Sequence, residues 1–243
     1  MTSAIINLDD WFTNTPAGRY ALAWQQQQYD EVVPNIFGQC ALQLGTPSIG
    51  GLHHSRILHA WVTSQNPDAT TKPPDPPGTS TSFPALVAHT EALPFATEQF
   101  DLVLLPHTLE ANKRPHYTLQ EANRILRPEG RLIISGFNPL RIWGVRPGHH
   151  ELHWGSSVSP LQVRNWLRPL GYEINRLHTG CCLPGFQRAS WIRHLQWIDH
   201  FVTSRWCVWG GIYFLVATKH VHGSKILGLS QLHHKPCIAS VTA

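Results

Sequence analysis

Apolar residues recur along this chain with two different periods, and the alternation between them lays out the elements. Over residues 8–33, Trp11, Phe12, Tyr20, Leu22, Ala23 and Trp24 are spread around a helix-like period, and Pro16-Ala17-Gly18 breaks the run into two pieces. Gln25 to Gln28 read as a solvated surface turn. Cys40-Ala41-Leu42-Gln43-Leu44-Gly45, a short apolar run closed by glycine, predicts a buried strand, and a second is expected over 55–62. A third begins at Ala85-Leu86-Val87-Ala88. Residues 100–105 are almost continuously apolar, as in a central strand covered on both faces.

Residues 116–126 predict a helix with Leu119, Ala122, Ile125 and Leu126 on one face. Arg127-Pro128-Glu129-Gly130 then reads as a turn with proline preset at its second position, before a buried strand over 131–136. Ser159-Pro160 has the form of an N-cap followed by a first helical proline, for a helix ending at Gly171. A strand over 172–177, a helix over 187–204 and a closing strand over 208–217 complete the pattern. Strands alternating with helices imply an α/β fold: an open, mostly parallel sheet with helices on both faces. The expected organisation is an N-terminal helical segment (1–35), an α/β domain (36–221) and an irregular tail (222–243). Residues 64–84, with Pro67, Pro73, Pro74, Pro76, Pro77 and Pro84 among small polar residues, are expected to form an exposed, mobile loop.

Composition narrows the function classes. Charged residues make up 14% of the chain, against roughly 25% in ordinary soluble proteins, and the net charge of +4 comes from scattered Lys and Arg. A nucleic-acid binder gathers its basic residues in a stripe, so nucleic acid is not an expected partner. The longest apolar stretch, over 206–218, is shorter than the about 20 residues a bilayer requires. The N-terminus has neither the basic start nor the apolar core of a signal peptide, and the five cysteines show no regular spacing. The expectation is a soluble, cytoplasmic protein without a membrane partner. The histidine pairs at 53–54, 149–150 and 233–234 are poor chelates, because adjacent strand residues point to opposite faces. No metal is expected. Cys181 and Cys182 read as packing thiols, and Trp191, Trp197, Trp206 and Trp209 as core residues or an aromatic site.

Between residues 91 and 139 several motifs follow one another in order. They are Glu-Ala-Leu-Pro-Phe (91–95), Phe-Asp-Leu-Val-Leu-Leu-Pro-His (100–107), Glu-Ala-Asn-Arg-Ile-Leu-Arg-Pro-Glu-Gly-Arg-Leu-Ile-Ile (121–134) and Gly-Phe-Asn-Pro (136–139). This set resembles the class I S-adenosylmethionine-dependent methyltransferases of the type 11, small-molecule kind. A narrower likeness, to a proteobacterial subgroup, rests on residues 15–20, 41–45 and 135–139. The resemblance implies a Rossmann-like domain, S-adenosylmethionine as cofactor and a small-molecule substrate. Three positions depart from the family pattern. Pro47 stands in the glycine-rich stretch after the first strand, residues 55–62 contain no Asp or Glu, and His89 stands where an Asp commonly meets the adenine.

Ligands of open parallel sheets bind at the carboxyl ends of the strands. The residues implied at the cofactor are therefore Gly45, Thr46, His89, Thr90, Glu91, Leu105 and Pro106, with Phe137-Asn138 near them. Gly45 as a simple strand terminator and His89 as a surface residue are the plainer alternatives. His107, directly after the central strand, is the candidate catalytic base or substrate orienter, because histidine titrates near neutral pH. It also reads as a structural histidine. Glu110, three residues on, would orient it if a helical turn begins there. Two functions stay open: a methyltransferase for a small acceptor, and a methyltransferase-like binding or regulatory module that has lost its cofactor.

Overall fold

The computed structural model describes residues 8–64, 85–139, 158–181 and 210–220. The expected loop beyond Ser64, the helix over 187–204, the tail, the four tryptophans and Cys182 lie outside the described residues, as do the histidine pairs at 149–150 and 233–234. The chain opens with α1 (Leu8–Asn14) and α2 (Pro16–Val32). The break falls at Thr15, which sits in extended geometry; its hydroxyl accepts the Gly18 N–H, and Pro16 takes a first-turn position that needs no donor.

Strands β1 (Cys40–Leu44), β2 (His59–Ser64), β3 (Ala85–Val87) and β4 (Phe100–Pro106) follow. Helices α3 (Thr108–Ala111) and α4 (Pro115–Ile125) lead into β5 (Leu126–Phe137). The last described elements are α5 (Pro160–Leu167), β6 (Tyr172–Gly180) and β7 (Ile212–Lys219). Among the described residues the sheet has seven strands in the order β3-β2-β1-β4-β5-β7-β6. Pairing is parallel from β3 to β5, and β7 runs antiparallel to both neighbours. This is the Rossmann-like, mostly parallel sheet that the alternation predicts.

Several boundaries differ from the sequence reading; the strand expected over 172–177 runs on to Gly180, and the helix before it ends at Leu167. The second strand begins at His59, because 52–55 is spent on turn hydrogen bonds and Leu58 faces solvent. The closing strand runs from Ile212 to Lys219, two residues past its predicted end. Residues 127–130 form a bulge within β5: Leu126 pairs with Phe100 and Arg131 with Leu102, leaving four residues opposite Asp101. Glu129 at φ 63 turns that bulge. Asp101 secures it, taking Arg127 at 3.0 Å on one oxygen and the Gln39 and Cys40 N–H groups on the other.

Side chains alternate between the faces, so each strand feeds two cores. On one face Leu42, Val103, Leu105, Leu132 and Ile134 pack under Leu119, Ala122 and Ile125 of α4 and Val163 and Leu167 of α5. On the other, Ala41, Leu102, Leu104, Ile133 and Phe214 pack under Phe12, Ala21 and Tyr29 of α1 and α2. Each fully buried Leu, Ile or Phe contributes about 1.5–3 kcal/mol. The ends of these helices are closed by hydrogen bonds. Ser159 and Gln162 form a reciprocal capping box on α5, and the Lys219 ammonium donates to the Asn123 and Leu126 carbonyls at the end of α4.

At the edge of β7, His220 lies between Glu129 and Glu173, 2.9 Å from each. The hydrogen bond it donates to Glu129, aided by the charge of both carboxylates, raises its pKa above the ordinary value. A raised folded-state pKa means that the contribution is complete below the unfolded value and disappears as pH rises through the folded one. His220→Gln is therefore expected to lower the melting temperature at about pH 5.5 and to have little effect at about pH 9, with the acid-side difference shrinking in high salt. Thermal melts across pH and ionic strength check this, and a pH-independent loss would contradict it.

Candidate functional site

The strand order reverses direction between β1 and β4: β1 continues to β2 and β3, and β4 continues to β5. Open sheets carry their crevice at such a point, at the carboxyl ends of the strands. Gly45 follows β1 at φ 82, a left-handed conformation open to glycine at no steric cost, and a Cβ there would come within 3.0 Å of the Thr108 hydroxyl. Thr46 and Thr108 bind the two strand ends together. The Thr46 hydroxyl donates to the Pro106 carbonyl at 3.1 Å, and the Thr108 hydroxyl reaches across to the Leu44 carbonyl.

The stretch after β1 is held from three sides. Gln43 donates its amide to the Thr46 and Ile49 carbonyls, Gln26 of α2 donates to the Gly50 carbonyl, and Asp9 of α1 accepts the Ser48 N–H at 3.1 Å. The last contact shows the chemistry this stretch offers, a backbone donor that receives a carboxylate.

At the end of β4, His107 takes a left-handed conformation (φ 51) that starts the short helix α3. The helical turn brings Glu110 back to its ring, with Nδ1 3.0 Å from a carboxylate oxygen. The other carboxylate oxygen accepts the Phe137 N–H at the end of β5. Gly136 makes room for this arrangement, since a Cβ there would lie 2.7 Å from Glu110 and 2.5 Å from the Tyr213 hydroxyl. The second ring nitrogen, Nε2, lies 3.0 Å from Oε1 of Gln25 on α2. Both ring nitrogens thus meet side-chain oxygens, which fix the plane of the ring. His107 and Glu110 are 1% and 2% exposed, so the pair is sealed from water.

Phe12 and Phe137 pack on the imidazole with ring centroids at 5.3 and 4.4 Å, and Trp11 meets Phe137 edge-on. Burial, and secondarily the charge of Glu110, raises the Tyr213 phenol well above its ordinary range; its hydroxyl has no hydrogen-bond partner among the described residues. Burial also raises the pKa of Tyr29, whose hydroxyl meets Ser135 at 3.2 Å.

Of the residues read from the sequence, Gly45, Thr46, Leu105, Pro106 and His107 come together at the carboxyl ends of β1 and β4. Thr90 is buried and lies 3.5 Å from Thr118, which Asn112 links to the Thr108 carbonyl. His89 and Glu91 are exposed beside it. The reading of Gln25 to Gln28 as a solvated turn is corrected. They lie inside α2, where Gln25 is fully buried and Gln28 nearly so. A signal was present: Gln25 falls four residues after Ala21 and four before Tyr29, on one helical stripe with both. Asp9 and Gln26 carried no comparable signal for their contacts with the stretch after β1, because Ser48 and Gly50 lie far along the chain.

Among the described residues no helix is long and apolar enough to cross a membrane, and no cluster of three or more His, Cys, Asp or Glu is placed to hold a metal. The sheet order, with its single antiparallel strand next to the edge, and the crevice at β1 and β4 define the class I methyltransferase fold. Residues 62–134, under a third of the chain, match the family described as Methyltransferase domain, of type 11, in agreement with the resemblance read from the sequence. The uncharacterized protein YafS of Escherichia coli (strain K12) is 32% identical over 157 residues, 60% of this chain and 59% of that relative, so the match spans less than two thirds of its length. Two solved structures share the fold. A SAM-dependent methyltransferase from Thermotoga maritima aligns with a TM-score of 0.61 at 16% identity, over 87% of this chain and 93% of that one. Another from Archaeoglobus fulgidus aligns at 0.56 and 14%, over 87% and 97%.

Removing Glu110 leaves the Phe137 N–H and the His107 ring buried without their acceptor. Glu110→Ala is expected to cost about 3–5 kcal/mol, and Gln25→Ala, which deletes one hydrogen bond, about 1–3 kcal/mol. Urea unfolding midpoints of the two variants test the ordering, and a neutral Glu110→Ala would show that the buried pair does not form.

Proposed function

We propose that this protein transfers a methyl group from S-adenosylmethionine to a small-molecule acceptor at the crevice between β1 and β4. The observation that carries this is the reversal of strand order there, with Gly45 in a left-handed conformation at its mouth. When bound, the cofactor supplies an electrophilic sulfonium methyl that an acceptor takes in one displacement.

The donor chemistry of the chain fits such a group at its aminoacyl end. The Ser48 N–H already receives a carboxylate, and the Gly45 turn lets the backbone come close to a ligand. Thr90, with His89 and Glu91, stands on the adenine side. At the ribose end β2 itself, His59–Ser64, carries no Asp or Glu. Leu105 and Pro106 form the floor.

His107 is assigned to the acceptor side. Glu110 and Gln25 hold its two ring nitrogens, so it orients an acceptor only when one of these contacts opens and frees that nitrogen. Dispersed positive charge and the lack of a basic stripe favour a small acceptor over nucleic acid. A cytoplasmic location is part of the same reading.

A second reading is a methyltransferase-like binding or regulatory module. It is favoured by the extent to which the site is filled from within: both ring nitrogens of His107 and the Ser48 N–H are already bonded to the protein's own groups.

Calorimetric titration with S-adenosylmethionine and S-adenosylhomocysteine separates the two. The expected outcome is a Kd on the order of micromolar that is lost in Gly45→Arg, a variant checked for folding by circular dichroism. Folded wild-type protein that releases no heat with either compound would make the non-catalytic module the better account.

A further inference from the structure

We propose that α1 is a built-in competitor for the cofactor: the Asp9 carboxylate occupies the Ser48 N–H that a ligand carboxylate would take, so docking of α1 and filling of the site exclude each other. This regulation rests on the cofactor reading above. In the stretch after β1, the N–H groups of Gly45, Ile49 and Gly51 donate to backbone carbonyls. The Ser48 N–H is given instead to a side chain 39 residues earlier in the chain. A carboxylate is the group that a backbone donor at this place is suited to receive.

The rest of α1 supports the same role. Phe12 lies on the His107 ring and Trp11 on Phe137, so the helix covers the acceptor side as well as the cofactor side. It has seven residues, too few to persist as a helix once its contacts are removed. It is separated from α2 by Thr15 in extended geometry and by Pro16, a natural hinge. Helix α2 is fastened independently, through Tyr29 to Ser135, Gln25 to His107 and Gln26 to Gly50. The division follows from these contacts: α2 stays as part of the site wall, and α1 leaves. Its departure bares the Ser48 N–H and one face of His107 together, so cofactor entry opens the acceptor side.

The test titrates S-adenosylhomocysteine into wild type, Asp9→Ala, Asp9→Asn and, as a charge control, Asp10→Ala, whose side chain is exposed. Loss of one charge-assisted hydrogen bond to a competitor is expected to tighten binding by about five- to tenfold in Asp9→Ala. Asp9→Asn should fall between, and Asp10→Ala should match wild type. Hydrogen exchange of residues 8–14 is expected to speed up when ligand is added to wild type. Wild-type binding that Asp9→Ala leaves unchanged or weakens, or ligand that slows exchange in α1, overturns the competition alone. Failure of wild type and Asp9→Ala alike to bind overturns the cofactor reading and the competition with it.

Discussion

A carboxylate buried between a sheet and two helices has to meet a donor at each oxygen, and Glu110 meets that demand with His107 on one side and the Phe137 N–H on the other. Much of the carboxyl end of the sheet follows from this requirement. The left-handed turn at His107 lets α3 bring Glu110 back over the strand end, Gly136 leaves the volume it needs, and Gln25 accepts from the far ring nitrogen. Three elements distant in sequence, α2, the β4 terminus and β5, are thereby fixed relative to one another by polar contacts inside an otherwise apolar core.

The crevice beside this pair is shaped by a second set of contacts. Thr46 and Thr108 stitch the ends of β1 and β4, and glutamines from β1 and α2 hold the carbonyls of the intervening stretch. Side-chain amides and hydroxyls thus fix the path of this stretch. The proline at position 47, a departure from the family pattern, is tolerated because the stretch is fastened by its carbonyls, which proline keeps, and by the N–H of its neighbour Ser48. Fold and methyl chemistry are separable in this setting: the sheet provides the crevice, and only the groups lining it decide what enters.

Much of the fold was legible in the residues themselves. Continuous apolar runs at 100–105 and 131–136 can be satisfied only by strands covered on both faces, and the 3.6-residue period over 116–126 only by a helix with one apolar side. Those signals are local, and tertiary context reinforced them. The place of Gly45 and the partnership of Glu110 with His107 were also within reach, since a strand end and a spacing of three define them. Asp9 and Gly136 were out of reach as site residues, and the stripe that buries Gln25 did not say what it meets. What each does depends on an atom more than twenty residues away along the chain, and polar residues in a helix read as surface until the sheet that buries them is placed. The sequence determined which of the described segments are strands and helices and that the sheet is mostly parallel. The tertiary structure decided which polar groups share the buried space at its carboxyl end, because only packing brings α1 and α2 over the mouth of the crevice.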